Sequence, residues 1–278
     1  MTDRELALKS CALRRRMLRL IHTAGAGHTG GGLSCLDILN VLYNRVLHIA
    51  PESVAAPTRD RYVQSKGHCV EALYVVLADR GYFPDADLET VCRYRSPYVG
   101  HPTRKIRGVE MNTGALGHGL PICVGMALAA RLGGAGFRAF TLLGDGELAE
   151  GSNWEAAMAA AHYKLDNLVA ILDHNSLQIT GPTCEVMSNA PLDAKWRAFG
   201  WEVRVVDGHD YAALTAALTT PPPAGRPLLV IANTIKGRGV SFMENVGKWH
   251  HGVPNDEELA RALAELDAAE RKLGEVAA

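Results

Sequence analysis

Between Asp3 and Ala24 apolar residues recur at helical spacing, with Leu6, Leu8, Leu13, Leu18 and Ile21 set among Arg and Lys. This periodicity predicts an amphipathic helix. The glycine-rich stretch Gly25 to Gly32 reads as the turn that stops it, and Ser34 as the cap of a second helix reaching about Leu47. Further helices are predicted at Cys69 to Arg80, Asp85 to Arg93 and Leu120 to Leu132. From Phe137 onward the period changes. An apolar run at Ala139 to Leu143, a helical stretch at Asn153 to His162 and a second run at Leu168 to Leu172 read as strand, helix, strand. Strands at Glu202 to Val206 and Leu228 to Ala232 flank a helix at Tyr211 to Thr219. Strands alternating with helices imply right-handed βαβ crossovers and a parallel sheet, hence an α/β fold. The proline run Pro221 to Pro223 is a loop inside that pattern, and Asn255 to Lys272 reads as an exposed helical tail.

Length and composition narrow the function. The chain has 278 residues, 47% of them hydrophobic, enough for one or two domains with a buried core. Lys and Arg number 29 against 30 Asp and Glu, a formal net charge of -1, with no basic run. That balance argues against nucleic acid or an acidic membrane surface as partner. The first residues carry both charge signs and no apolar core of a signal peptide, and no window approaches 18 apolar residues. A cytoplasmic protein is expected. Six widely spaced cysteines form no CxxC, so they read as free, mostly buried thiols rather than a metal or redox motif.

The chemistry concentrates at strand ends. Leu142-Leu143-Gly144-Asp145-Gly146-Glu147 ends an apolar strand in a glycine-flanked carboxylate, and thirty residues later another strand ends in Asp173-His174-Asn175. One helix separates them, so both ends should lie side by side at the carboxyl edge of the sheet, where open α/β folds bind ligands. A carboxylate, an amide oxygen and a backbone carbonyl suit Mg²⁺ and leave positions for phosphate oxygens. Gly146 admits a diphosphate close to the backbone, and the helix beginning near Gly151 is expected to point its amino end at the anion. Taken alone, Gly-Asp-Gly is also an ordinary strand-end turn.

Among the histidines that stand beside a glycine are His28, His68, His101 and His251. Several loops each presenting one imidazole suggest a pocket that handles hydroxyl and carbonyl protons near neutral pH, although each histidine alone also reads as a solvated loop residue. His22, His48, His162 and His209 read as local hydrogen-bonding groups, while His118 and His250 stay undecided. Gly25-x-Gly27-x-x-Gly30 matches the dinucleotide fingerprint in letters only, because a charged helix precedes it instead of a strand, and no P-loop is present.

Taken together, Gly27-His28, Ser65-Lys66-Gly67-His68, Gly100-His101-Pro102, Gly144-Asp145-Gly146-Glu147, Trp154-Glu155-Ala156, Thr234-Ile235-Lys236-Gly237 and His251-Gly252 resemble the transketolase family over nearly the whole chain. The likeness is to the amino-terminal part that split transketolases carry as a separate subunit. The resemblance implies one thiamine-diphosphate-binding domain over 1–278, a parallel sheet with helices on both faces, and a cofactor pair of thiamine diphosphate with Mg²⁺, or Ca²⁺ or Mn²⁺ in its place. It implies Asp145, Asn175 and the Leu177 carbonyl as metal ligands. His68, Gly146 and Lys236 would contact the diphosphate, and Gly114 and Leu116 would receive the aminopyrimidine. His28, His101 and His251 would face substrate hydroxyls, with Glu150 and Glu155 in a carboxylate network at the subunit interface.

Two positions depart from the family pattern: His118 stands where Gln is usual, and Thr180 where many relatives have Asp. Both put substrate preference in doubt more than chemistry. The resemblance implies that the pyrimidine-binding domain, with the glutamate that polarises the aminopyrimidine, is expected outside these 278 residues. A partner chain, the C-terminal transketolase subunit, is therefore expected to supply it, in a heterotetramer of two plus two. The expected activity is transfer of a two-carbon glycolaldehyde unit from a ketose phosphate to an aldose phosphate. Specialised ketoses, branched or sulfonated, and a non-catalytic cofactor-binding scaffold are the alternatives.

Overall fold

The computed structural model describes residues 1–275; the last three residues of the expected 1–278 domain lie outside the described residues. Five parallel strands form one sheet in the order β1 (Arg61–Gln64), β2 (Ala139–Gly144), β3 (Leu168–His174), β7 (Leu228–Asn233), β6 (Glu202–Asp207). A two-residue pair, β4 (Leu177–Gln178) and β5 (Gly181–Pro182), makes a small antiparallel hairpin just after β3, and the single turn α6 (Thr183–Val186) follows it.

Side-chain alternation along the strands explains the two cores. In β3, Val169 and Ile171 face one side of the sheet and Leu168, Ala170 and Leu172 the other. The first side is covered by α1 (Asp3–Ala24), α2 (Thr29–Val41), α3 (Val70–Asp79) and α8 (Tyr211–Thr219). The second is covered by α4 (Gly119–Gly133), α5 (Gly151–His162) and α7 (Leu192–Ala198), with Trp196 and Trp201 fully buried beneath them. A sheet buried on both faces reads as apolar runs, as found here.

Four expectations change. The glycine-rich turn is shorter than expected: Gly25 ends α1 in a left-handed cap, but α2 starts already at Thr29 with His28 at its N-cap, so Gly30, Gly31 and Gly32 are helical and Ser34 lies inside the helix. Tertiary contact overrides propensity there, because a Cβ at Gly31 would lie 2.7 Å from Cys69 Sγ and one at Gly32 would lie 2.8 Å from Met17 Sδ. Asp85 to Arg93 forms only a 3₁₀ segment, Asp85–Thr90. Strand β1 is not foreseen by the apolar pattern, since Arg-Tyr-Val-Gln offers only two apolar residues, one for each core. The tail, α9 (Asp256–Glu275), is not simply exposed: Ala262 and Leu266 are buried, and Arg15 of α1 pairs with Asp267 at 3.0 Å and Glu270 at 2.7 Å. All six cysteines are free, four of them buried. Among the described residues no helix is long and apolar enough to cross a membrane.

Candidate active site

Parallel pairing brings four strand ends to one edge. Gly144 pairs with Asp173, and His174 with Asn233, so the segments after β1, β2, β3 and β7 leave the sheet side by side. They deliver Lys66 and His68, Asp145 and Gly146, Asn175 and Leu177, and Lys236. All seven line a cavity of about 400 Å³, together with His28, Gly114, Leu116, His250 and His251. Cavities of this kind at the carboxyl edge are where such sheets bind ligands.

The floor is a buried charge network. Asp173 accepts from Ser34 Oγ at 2.6 Å, from Thr234 Oγ1 and from the Lys66 ammonium, with Lys66 and Asp173 essentially inaccessible to solvent. Burial opposes the charge on Lys66, but the Asp173 carboxylate overcomes it and holds the ammonium above its usual range. Asp145 Oδ1 accepts from Gly146 N at 2.8 Å and Oδ2 from Ser176 N at 2.5 Å. Burial and the neighbouring Asp173 charge raise its pKa, so the site is short of positive charge beside Asp145. Lys236 supplies one cation. Its Nζ donates to the Leu177 carbonyl at 3.0 Å and meets His250 Nδ1 at 2.8 Å, and burial followed by the Lys66 charge brings its pKa down to about 8.

Glu147, to which the sequence pattern assigns no role, is buried in the cavity wall. It accepts from Gly117 N and Gly144 N, both at 2.9 Å, and from Ser65 Oγ, and so braces the 114–117 segment against the strand end. Burial raises its pKa.

The histidines converge. His28 lies with ring centroids 4.3 Å from His251, 5.1 Å from His68, 5.6 Å from His250 and 6.2 Å from His101. His28, His68, His101 and His251 therefore meet, and His250 joins them. Burial lowers the pKa of His28 to about 4 and, with Lys236 beside it, that of His250 to about 3, so both rings are neutral near neutral pH. His101 is lowered too, first by burial and then by His68. Gly114 has φ +137°, and a Cβ there would lie 2.5 Å from His101 Cδ2, so the bare backbone makes room for that ring.

Other expected residues lie elsewhere. Glu150 and Glu155 are exposed and outside the cavity wall, at the start of α5. A 3₁₀ turn, Gly146–Ala149, separates the strand end from α5, so Gly151 is also outside the wall and α5 does not present its amino end to the cavity. The amino end that does is that of α2, where His28 and Gly31 line the wall. Thr180 lines the cavity with Gln178 and Ile179 of the hairpin, whereas His118 points its Nδ1 at the Leu116 carbonyl, 3.0 Å away, outside it.

An α/β sheet whose strand ends gather oxygen donors, two lysines and close-approach glycines around one cavity defines a ligand-binding α/β domain. The chain belongs to the transketolase family: residues 8–273 match the family described as transketolase, thiamine diphosphate binding domain. It is 46% identical over 269 residues to an apulose-4-phosphate transketolase subunit of Phocaeicola vulgatus, covering 96% of each chain. It is 41% identical over 271 residues to the 6-deoxy-6-sulfo-D-fructose transketolase subunit SqwG of a Clostridium species, covering 96% of this chain and 98% of that one. Its fold is similar to the crystal structure of transketolase from Campylobacter jejuni, with a TM-score of 0.88 at 30% identity, covering 97% of this chain and 45% of the longer one. The chain thus spans less than half of that solved transketolase and nearly all of the separate subunits.

Proposed function

We propose that this chain is the diphosphate-binding half of a two-part transketolase, which transfers a two-carbon glycolaldehyde unit from a ketose phosphate to an aldose phosphate. The observation that carries the reading is the convergence of Asp145, Asn175, Leu177 and Lys236 on one cavity with His28, His68 and His251. The residues fit the implied cofactor. The donors are hard oxygens, the Leu177 carbonyl already accepts a cationic group, and the glycines of the wall leave backbone bare for a diphosphate.

On this reading Asp145, Asn175 and the Leu177 carbonyl hold Mg²⁺, or Ca²⁺ or Mn²⁺ in its place. His68, Gly146 and Lys236 hold the diphosphate, and Gly114 and Leu116 receive the aminopyrimidine. Thiamine diphosphate, when bound, supplies the electron sink for breaking and making the carbon–carbon bond. The chain's own groups orient the sugar. His28, kept neutral by burial, accepts a hydroxyl proton at one ring nitrogen, while His101 and His251 donate to oxygens that gain negative charge. Glu150 and Glu155, exposed at the start of α5, are surface carboxylates that a neighbouring subunit covers. A C-terminal transketolase subunit bearing the pyrimidine-binding domain completes the site, in a cytoplasmic heterotetramer of two plus two.

A specialised ketose is favoured over the common pentose phosphates. Identity is 46% to a subunit named for apulose-4-phosphate, against 38% to the transketolase of Homo sapiens. The test is an assay of the purified chain with ketose and aldose phosphates, alone and with the polypeptide that co-purifies with it. Activity is expected only in the mixture; full turnover by the single chain refutes the split-subunit reading.

A further inference from the structure

His28, His250 and His251 do more than line a wall. One ring nitrogen from each lies within 4.8 Å of the other two, in the same cavity that Asp145 lines. We propose that these three imidazoles form a second metal site, selective for a borderline divalent ion of the Zn²⁺ class, and that filling it closes the cavity to a sugar.

Three neutral nitrogens and an open fourth position are the donor set of a tetrahedral Zn²⁺ site, whereas Mg²⁺ prefers the carboxylate, amide and carbonyl oxygens of Asp145, Asn175 and Leu177. The two sites therefore sort two kinds of cation by donor hardness. Metal–nitrogen bonds of about 2.0–2.1 Å in a tetrahedron bring the nitrogens to about 3.3–3.4 Å apart, so rings now within 4.8 Å of one another close in on the ion by ring rotation. Burial already keeps His28 and His250 neutral, so neither ring has to lose a proton first. His28 and His250 are half-buried and His251 is exposed, so an ion can enter from the His251 side.

One contact has to break. Lys236 Nζ now sits 2.8 Å from His250 Nδ1, and a metal-bound His250 either uses that nitrogen or protonates it, neither of which tolerates the ammonium. Lys236 keeps its other contact, the Leu177 carbonyl at 3.0 Å, so it turns wholly to the oxygen side. An ion held by His28 and His251 occupies the ground that the proposed transferase reading gives to substrate hydroxyls. Its effect on turnover is inhibitory.

The test is a titration of the full chain with Co²⁺, a coloured stand-in for Zn²⁺, without thiamine diphosphate and with Mg²⁺ in large excess. Intense visible bands of tetrahedral Co²⁺ are expected to saturate at one equivalent and to vanish when Zn²⁺ is added. His250→Gln and His251→Gln are each expected to weaken binding at least tenfold, with far-ultraviolet circular dichroism confirming that both variants fold. Absence of tetrahedral bands, or bands of unchanged affinity in both variants, overturns the proposal. The bands, read without the near-ultraviolet charge-transfer band of a thiolate ligand, report metal binding without any turnover, so their outcome is separate from that of the transferase assay.

Discussion

The backbone N–H of Ile235 donates to Nε2 of His209 at 2.9 Å, while Nδ1 of the same ring donates to Asp37 at 2.8 Å. Because one ring nitrogen accepts and the other donates, His209 is held as the Nδ1–H tautomer. Asp37 is in turn bound by Arg14 at 2.6 Å and by the Tyr211 hydroxyl at 2.9 Å. A buried ion pair between α1 and α2 thereby fixes the segment that carries Lys236. Burial works against the Asp37 charge, but Arg14 outweighs it and holds the carboxyl well below the usual range.

His209→Ala is expected to weaken thiamine diphosphate binding while leaving turnover at saturation nearly intact. Loss of a buried hydrogen bond costs roughly 1–2 kcal/mol, or about five- to thirty-fold in affinity. Calorimetric titration of the complex measures it. Unchanged affinity would show that the 234–236 segment holds its place without the imidazole.

Asp145→Ala should abolish Mg²⁺-dependent binding of the cofactor, since it removes the charged oxygen donor and also the acceptor for Ser176 N. The same titration decides it, repeated with Mn²⁺ and Ca²⁺. Wild-type affinity in the variant would remove Asp145 from the metal site.

Turnover, more than cofactor affinity, should fall in His101→Ala and in His251→Ala. Removing one proton-transfer or oxyanion-stabilising group typically costs on the order of a hundredfold in rate. A variant that lost cofactor binding but kept its rate at saturation would contradict the assignment to substrate hydroxyls.

Gly114→Ala attacks the same histidine from behind. The new Cβ would meet His101 at 2.5 Å in a left-handed backbone, so the ring must move. A fall in turnover of tenfold or more is expected, read from steady-state kinetics beside a thermal melt. An unaltered rate in a folded variant would mean that His101 has room to spare.

Glu71 sets an alkaline limit on stability. Burial raises its pKa to about 8, and Oε2 has no hydrogen-bond partner among the described residues. A carboxyl whose pKa is higher folded than unfolded contributes its stability fully below about 4.5, and loses it as pH rises through about 8. Glu71→Gln should therefore flatten the decline and gain a few kcal/mol over wild type at pH ~9. Urea midpoints at pH ~5 and ~9 test this; parallel pH curves for the two proteins would refute it.

Asp145 and Asn175 could be found from sequence because each follows a long apolar run and so must stand at a strand end. Glycine neighbours point to His28, His68 and His251, but His118 lies between two glycines and stays outside the cavity, so that signal alone does not separate site from surface. Lys66 and Asp173 announce themselves only in the fold: an ion pair buried between β1 and β3 requires knowing that β1 exists, and four residues with two polar ones hide it. Glu147 sat unnoticed two residues from Asp145, since nothing in the spacing shows that its side chain turns back to the Gly144 and Gly117 amides. His250 stayed open because its role depends on Lys236, fourteen residues away. The early start of α2 was illegible for a different reason: consecutive glycines look like a break, and only Met17, Cys69 and Trp249 pressing on them reveal why a helix there must be bare.

That bare first turn of α2 divides the cavity into a part that evolution can revise and a part it cannot. Gly30 and Gly31 lie against Lys236 and Cys69, and Gly114 lies against His101, so any side chain added on these segments collides with the machinery itself. The hairpin opposite contributes Gln178, Ile179 and Thr180, of which the last two are exposed. Relatives that accept different sugars are therefore free to diverge at 178–180 while keeping the glycines, and a laboratory search for new donor specificity belongs in those three codons.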